Sequence, residues 1–265
     1  MISIQKTVLG LGFALGATAA VAFADNTVFL EVGPGFGETN PYQAGDGGEF
    51  TALLQDNGVP EAVPAGYSPL ATYDLGGVTG FETFCVQDQV YFYVGSTYDY
   101  FISPYLIDPA VGDTNTPVGD FEVPLSVGTA WLYQQFATGQ LAGYDFLNND
   151  PSNTRITDAG ELQNLIWGLD PHNGDSAPTA SSPFANLLIA KFGSLANAEV
   201  AETPNQFGVN VLDLVTYNGA GQINGIYQDQ LIYTSPDAAS TAAMLGAALL
   251  MLAAVRRRAA IKVRA

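Results

Sequence analysis

The sequence predicts an α+β domain, namely a β-sandwich or barrel-like sheet that carries a helical insertion. Segments with the composition of strands lie at both ends of the central region, up to residue 107 and again from residue 207. Between them, from 126 to 195, apolar residues recur at helical spacing. A chain of 265 residues is long enough to bury one large core, and neither an internal repeat nor a linker divides it.

The strand predictions rest on stretches rich in Val, Phe and Tyr. From Asp25 to about Gly80 the chain is rich in Gly and Pro, so we expect loops there, with one short strand at 27–32. The remaining predicted strands are 81–94 (one long strand or a pair), 98–107, 207–217 and 226–234.

Three helices are predicted from apolar spacing and end signals. The first covers 126–137, with Gly139 as its C-cap. The second begins at Asp158, which forms a capping box with Glu161, and ends before Pro171. The third begins at 182–183, with Pro in the first helical position, and runs to about residue 195.

Composition excludes several classes of protein. Apolar residues make up 48% of the chain and charged residues 13%, which excludes a disordered chain. One Cys and one His leave no disulfide framework and no CxxC zinc site. All 26 acidic residues lie between Asp25 and Asp237 together with only 2 basic ones, a net charge of −24, which excludes nucleic-acid binding. We expect no metal and no cofactor.

The N-terminus has the pattern of a secretory signal peptide over residues 1–24. Lys6 precedes an apolar run that ends in Ala22-Phe23-Ala24, so Asp25 is the expected first mature residue. An uncleaved anchor is the alternative. The working domain is then 25–234.

The C-terminal tail, 235–265, predicts a short membrane span. Residues 238–255 carry no charge, and Arg256, Arg257 and Arg258 follow. A trailing basic cluster stays cytoplasmic, which places the domain outside. The alternative here is a permanent single-span anchor.

The same tail resembles a bacterial exosortase sorting signal of the PEP-CTERM kind. The resemblance covers residues 235–258 and rests on Ser-Pro-Asp-Ala-Ala-Ser-Thr, the short span and the Arg cluster. It implies an exosortase-type enzyme as partner, transient membrane tethering at the inner membrane, and processing near Pro236 and Asp237. The product would be at the cell surface or in the extracellular matrix.

Cys85, the single cysteine, has three interpretations. The first is a buried small hydrophobic residue, as free Cys usually is. The second is a catalytic thiolate, for which His172 is the only imidazole. The third is a sulfur linked covalently to another side chain. Strand alternation places Phe84 and Val86 on one face, so Cys85 faces the other and is free to meet a helix.

Two short motifs resemble the thioester domains of bacterial surface adhesins. They are Phe84-Cys85-Val86-Gln87 and, 78 residues after the Cys, Gln163 within Leu-Gln-Asn-Leu-Ile-Trp. In that family the Gln side chain acylates the Cys sulfur and releases ammonia. The resemblance implies Cys85 as thiol, Gln163 as acyl donor, and Phe84 and Trp167 as flanking aromatic residues. Because Gln163 and Trp167 are four residues apart, the indole would lie beside the amide and exclude water.

A thioester reacts once with an amine, so the expected function is covalent attachment to an amine-bearing target, a protein Lys or an amino sugar, and not enzymatic turnover. Only Lys191 remains after processing, so few amines of the protein itself could compete. The alternative is a non-covalent structural or carbohydrate-binding matrix protein with an inert Cys85. An extracellular hydrolase is a third, more distant possibility.

Overall fold

The computed structural model describes residues 26–32, 42–44, 47–75, 77–88, 90–107, 122–147, 154–169 and 182–235. Within these ranges the chain is an α+β fold with a large antiparallel sheet and few helices, which confirms the predicted class. The strands are β1 (Asn26–Val32), β2 (Gln43–Ala44), β3 (Gly47–Gly48), β4 (Phe50–Asp56), β5 (Val59–Pro60), β6 (Thr72–Asp74), β7 (Thr79–Thr83), β8 (Ser96–Ser103), β9 (Tyr105–Ile107), β10 (Glu122–Pro124), β11 (Val209–Tyr217), β12 (Ile223–Ile226) and β13 (Gln230–Tyr233). The helices are α1 (Val127–Ala137), α2 (Thr154–Leu169), α3 (Pro183–Phe192) and α4 (Leu195–Ala198), and a 3-10 turn covers Pro69–Ala71.

The main sheet runs in the order β12-β11-β8-β1-β4-β7-β6, and β13 also pairs with β11. All of these pairings are antiparallel. Alternation along the strands divides the apolar residues into two clusters. One lies on the sheet (Val28, Leu30, Ala52, Leu54, Phe81, Tyr98, Tyr100, Leu212, Leu214, Ile232). The other, larger cluster joins the sheet to α1, α2 and α3.

Helix ends follow ordinary capping chemistry. The side chain of Ser126 accepts a hydrogen bond from the Thr129 N–H at the start of α1, and Ser182 accepts one from Phe184 at the start of α3. Gly139, with φ +69°, follows the C-cap of α1, so the C-cap prediction is off by one residue, and Gly193 ends α3 with φ +87°. These ends position the helices against the sheet.

Three further predictions about where elements begin or end were wrong. Helix α2 begins at Thr154, one turn before Asp158, because the Asp158 carboxylate accepts a hydrogen bond from the Asp145 N–H outside the helix (2.8 Å). Helix α3 ends at Phe192 instead of 195. The strand predicted at 81–94 ends at Thr83, and beyond it only an isolated bridge between Cys85 and Gln230 continues the pairing.

The largest omission is β4, which lies in the middle of the sheet within a segment predicted as loops. Its first five residues are all buried, so the strand shows no polar alternation. Paired Gly residues just before it, Gly47 and Gly48, favoured a loop prediction.

The described residues contain no helix that is both long enough and apolar enough to cross a membrane. The predicted signal peptide, the tail from Pro236 onward with Asp237, Arg256, Arg257 and Arg258, and the imidazole of His172 lie outside the described residues.

Candidate functional site

Cys85 lies on an extended segment that pairs with the start of β13. The Val86 N–H donates to the Asp229 carbonyl (3.0 Å), and the Leu231 N–H donates to the Phe84 carbonyl (3.1 Å). These two bonds flank the Cys85–Gln230 pair, which makes it the non-hydrogen-bonded type of antiparallel pair. In such a pair the two side chains are close and the backbone N–H and C=O groups point away from the partner strand.

The carboxamide of Gln163 occupies that outward edge of Cys85. The Cys85 N–H donates to Gln163 Oε1 (3.1 Å), and Gln163 Nε2 donates to the Cys85 carbonyl (2.6 Å). The carboxamide therefore binds Cys85 as a neighbouring strand would, although it comes from α2, 78 residues away. Both residues are fully buried. The two residues that the sequence paired as thiol and acyl donor are in contact.

The sulfur atom itself contacts a second glutamine. Gln230 Nε2 lies 3.2 Å from Cys85 Sγ, and Gln230 Oε1 lies 3.8 Å from it. Burial raises the pKa of the Cys85 thiol well above its ordinary value, and the hydrogen bond from Gln230 opposes that shift. The expected meeting of helix and Cys85 thus takes place at the Cys85 backbone, while its sulfur meets β13.

The flanking aromatic residues have different roles. Phe84 is buried in the helix-side cluster and packs edge-on against Phe136, with ring centroids 4.9 Å apart. Trp167 lies one turn from Gln163, and its ring occupies the space into which a side chain at Gly47 in β3 would project. A Cβ at Gly47 would approach the Gln163 Cγ to 2.5 Å and the Trp167 Cη2 to 2.6 Å, so β3 closely covers the Gln163 side chain.

A buried ion pair anchors β3 to α2. Glu49, two residues after Gly47, binds Arg155 through two bonds, from Nε (2.8 Å) and from Nη2 (2.7 Å). The Arg155 guanidinium also lies 4.2 Å from the ring centroid of Tyr42, the residue before β2, whose carbonyl accepts a hydrogen bond from the Glu49 N–H (3.0 Å). This pair was not predicted from the sequence, where the one signal is an Arg among acidic residues, which needs a partner if it is buried.

Glu82 is a second buried carboxyl group close to Glu49 and Arg155. Thr51 Oγ1 donates to Glu82 Oε1 (2.8 Å), and both residues are buried. Burial and the neighbouring charge of Glu49 raise the pKa of Glu82 to about 8.

A set of hydrogen bonds beyond Cys85, also missed from the sequence, holds the paired segments in register. Gln87 Nε2 donates to the Ile107 carbonyl (2.6 Å), and Gln87 Oε1 accepts from the Asp229 N–H (3.1 Å). The Ile107 N–H donates to Asp229 Oδ2 (3.0 Å). Because these bonds join three parts of the chain, they restrain the position of Cys85 opposite Gln230.

The described residues include no group of three or more His, Cys, Asp or Glu side chains arranged to hold a metal ion. The chain matches no protein-family model, no curated protein and no solved structure.

Proposed function

We propose that this protein is an exported surface or matrix protein that forms an internal thioester between Cys85 and Gln163 and uses it once to bond an amine-bearing target. The observation that carries the proposal is the reciprocal pair of hydrogen bonds between the Gln163 carboxamide and the Cys85 backbone. This arrangement holds the acyl carbon next to the residue whose sulfur must attack it. Holding reactants in this way removes much of the entropic part of a barrier.

The contacts also suit the chemistry of thioester formation. The Cys85 N–H polarises the Gln163 carbonyl and would stabilise the negative charge that develops on Oε1 during attack. The bond between Sγ and Cδ forms, the bond between Cδ and Nε2 breaks, and the thiol proton leaves on ammonia. Burial raises the pKa of the Cys85 thiol, so the sulfur has to lose its proton as it attacks, and that proton leaves with the amide nitrogen.

A buried thioester is protected from hydrolysis until an amine reaches it. Attack by an amine forms a bond between its nitrogen and Cδ and breaks the bond between Cδ and Sγ, and a proton passes from nitrogen to sulfur. The product is an amide on Gln163 and a free Cys85 thiol. Since the acyl group is then spent, each molecule reacts once, with a protein Lys or an amino sugar as target.

Several finer features belong to the same proposal. The hydrogen bonds between 83–86 and 229–231 link β7 to β13, and β13 pairs with β11; this favours a barrel-like closure of the sheet. The signal peptide, the short span, and processing by an exosortase-type enzyme near Pro236 and Asp237 account for export and for delivery to the cell surface or matrix.

The complete burial of Cys85 and Gln163 also favours the alternative, a non-covalent structural or carbohydrate-binding matrix protein with an inert cysteine. Intact mass of the purified protein separates the two. The thioester form is lighter than the sequence mass by one ammonia, and both Cys85→Ala and Gln163→Met abolish that deficit. Methylamine converts Gln163 to an N-methyl amide, which makes the protein heavier than the sequence mass by one methylene, and exposes a titratable thiol. A wild-type protein with its full sequence mass and no methylamine adduct would refute the thioester.

A further inference from the structure

We propose that Gln230 is a positioning residue for the sulfur of Cys85, which it contacts directly and stabilises through an N–H hydrogen bond whenever the bond to sulfur forms or breaks. This inference rests on the proposed thioester and adds a third member to the site. It concerns a residue 145 positions from Cys85, which no motif in the sequence marks.

The backbone places Gln230 opposite Cys85. The pair is of the close, non-hydrogen-bonded type, so the Gln230 side chain faces the thiol directly. Gln230 is fully buried, and so is Cys85. A buried carboxamide needs hydrogen-bond partners, and the sulfur is one of them.

A neighbouring carbonyl sets the orientation of the Gln230 carboxamide. Gln230 Nε2 donates to the Gln228 carbonyl (3.2 Å) and lies 3.2 Å from Cys85 Sγ. Only the NH₂ end of the amide can donate to a carbonyl, so the same nitrogen is left with its second N–H for the sulfur. The two carboxamides therefore have different partners. That of Gln163 binds the backbone of Cys85, and that of Gln230 contacts its sulfur.

The hydrogen bond matters most when the sulfur carries negative charge. As an amine attacks the thioester, electrons of the breaking bond move to Sγ, and the burial of this site limits their stabilisation by bulk water. A donor already aimed at the sulfur supplies that stabilisation without reorganisation. Hydrogen bonds to charged groups are worth enough that losing one slows such a step by about ten- to a hundredfold.

The test uses the full mature protein and methylamine. Gln230→Met removes the N–H donor but keeps the length of the side chain, and Gln228→Met makes the same change two residues away on the same segment, where the amide bonds the Gln87 carbonyl instead of sulfur. We expect Gln230→Met to keep the mass deficit, with the cross-linked peptide mapped to Gln163, and to react with methylamine about ten- to a hundredfold more slowly. Gln228→Met should react at close to the wild-type rate.

A second variant supplies a readout that a structural role would not move. In Gln230→Glu the carboxyl donates to sulfur when protonated and repels it when ionised. The ratio of its methylamine rate to that of wild type should therefore fall as pH rises through the carboxyl pKa, while the ratio for Gln228→Met stays constant.

The outcomes distinguish this inference from the function on which it rests. A wild-type protein that shows the deficit, with Gln230→Met no slower than Gln228→Met, would overturn the role of Gln230 alone. A cross-link mapped to Gln230 would make that residue the acyl donor and overturn the positioning role. A wild-type protein without any deficit would overturn the thioester itself.

Discussion

Removal of the Gln163 carboxamide should destabilise the fold through the backbone of Cys85. The useful comparison is Cys85→Ala against Cys85→Ala with Gln163→Leu, because neither can form a thioester. The Cys85→Ala change keeps both hydrogen bonds from Gln163 to the backbone at position 85, so the second substitution tests these bonds alone.

The structure sets the size of the effect. In the double variant the N–H and C=O at position 85 lose their partners at 3.1 and 2.6 Å. Each buried group left without a partner costs about 1–3 kcal/mol, so we expect a loss of about 2–6 kcal/mol. Leu has nearly the volume of Gln, so little of this loss would come from a cavity. The total stability of a domain is about 5–15 kcal/mol, so the change is large.

Urea unfolding followed by tryptophan fluorescence measures the difference in free energy. Asn164→Leu in the Cys85→Ala background is the matched control, because Asn164 is the exposed neighbour of Gln163 on α2 and should change stability by less than about 0.5 kcal/mol. If Gln163→Leu lowers the free energy of unfolding no more than Asn164→Leu does, the two hydrogen bonds do not hold Cys85, and the acyl donor is not preorganised.

Three further predictions concern the surroundings of the site. Arg155→Leu removes the cation that neutralises the buried Glu49 carboxylate, so it should lower the free energy of unfolding in urea by about 3–5 kcal/mol. Arg155→Leu with Glu49→Leu should lower it by less, and equal losses would refute the pairing. Because the pKa of Glu82 is about 8 in the folded protein, above its ordinary value of 4.5, the folded state holds a proton that the unfolded state releases. Stability should therefore fall as pH rises from about 5 to 8, and Glu82→Gln, measured by the same unfolding curves, should flatten that slope. Gly47→Ala forces a Cβ into the Gln163 side chain, so it should lower the free energy of unfolding by about 1–3 kcal/mol and reduce the fraction of purified molecules that show the mass deficit. An unchanged fraction would show that β3 does not constrain Gln163.

The sequence predicted those parts of the fold whose signals are local. Helix α1 and the strands β1 and β11 lie close to their predicted positions, because apolar spacing and capping residues act over a few neighbours. The strand predicted at 98–107 is divided between β8 and β9, and the one predicted at 226–234 contains the end of β12 and all of β13. The same local evidence failed at β4, where burial of five successive residues removes alternation. It failed again at Asp158, whose carboxylate bonds a residue outside its own helix.

The contact between Cys85 and Gln163 was expected from two motifs, but the manner of the contact was not. A motif specifies residue types, and it says nothing of whether the carboxamide binds the sulfur or the backbone. That choice follows from the pairing with β13, which turns the Cys85 N–H and C=O toward α2 and its sulfur toward Gln230.

By itself, then, the sequence determined the fold class, the acidic charge of the central region and a candidate thiol with a candidate acyl donor. Tertiary structure alone decided that Gln230 meets the sulfur and that Glu49 neutralises Arg155, 106 residues away. The physical reason is that a hydrogen bond or ion pair between distant segments depends on strand register and helix placement. Neither leaves a periodic pattern in the chain from which its partner could be inferred.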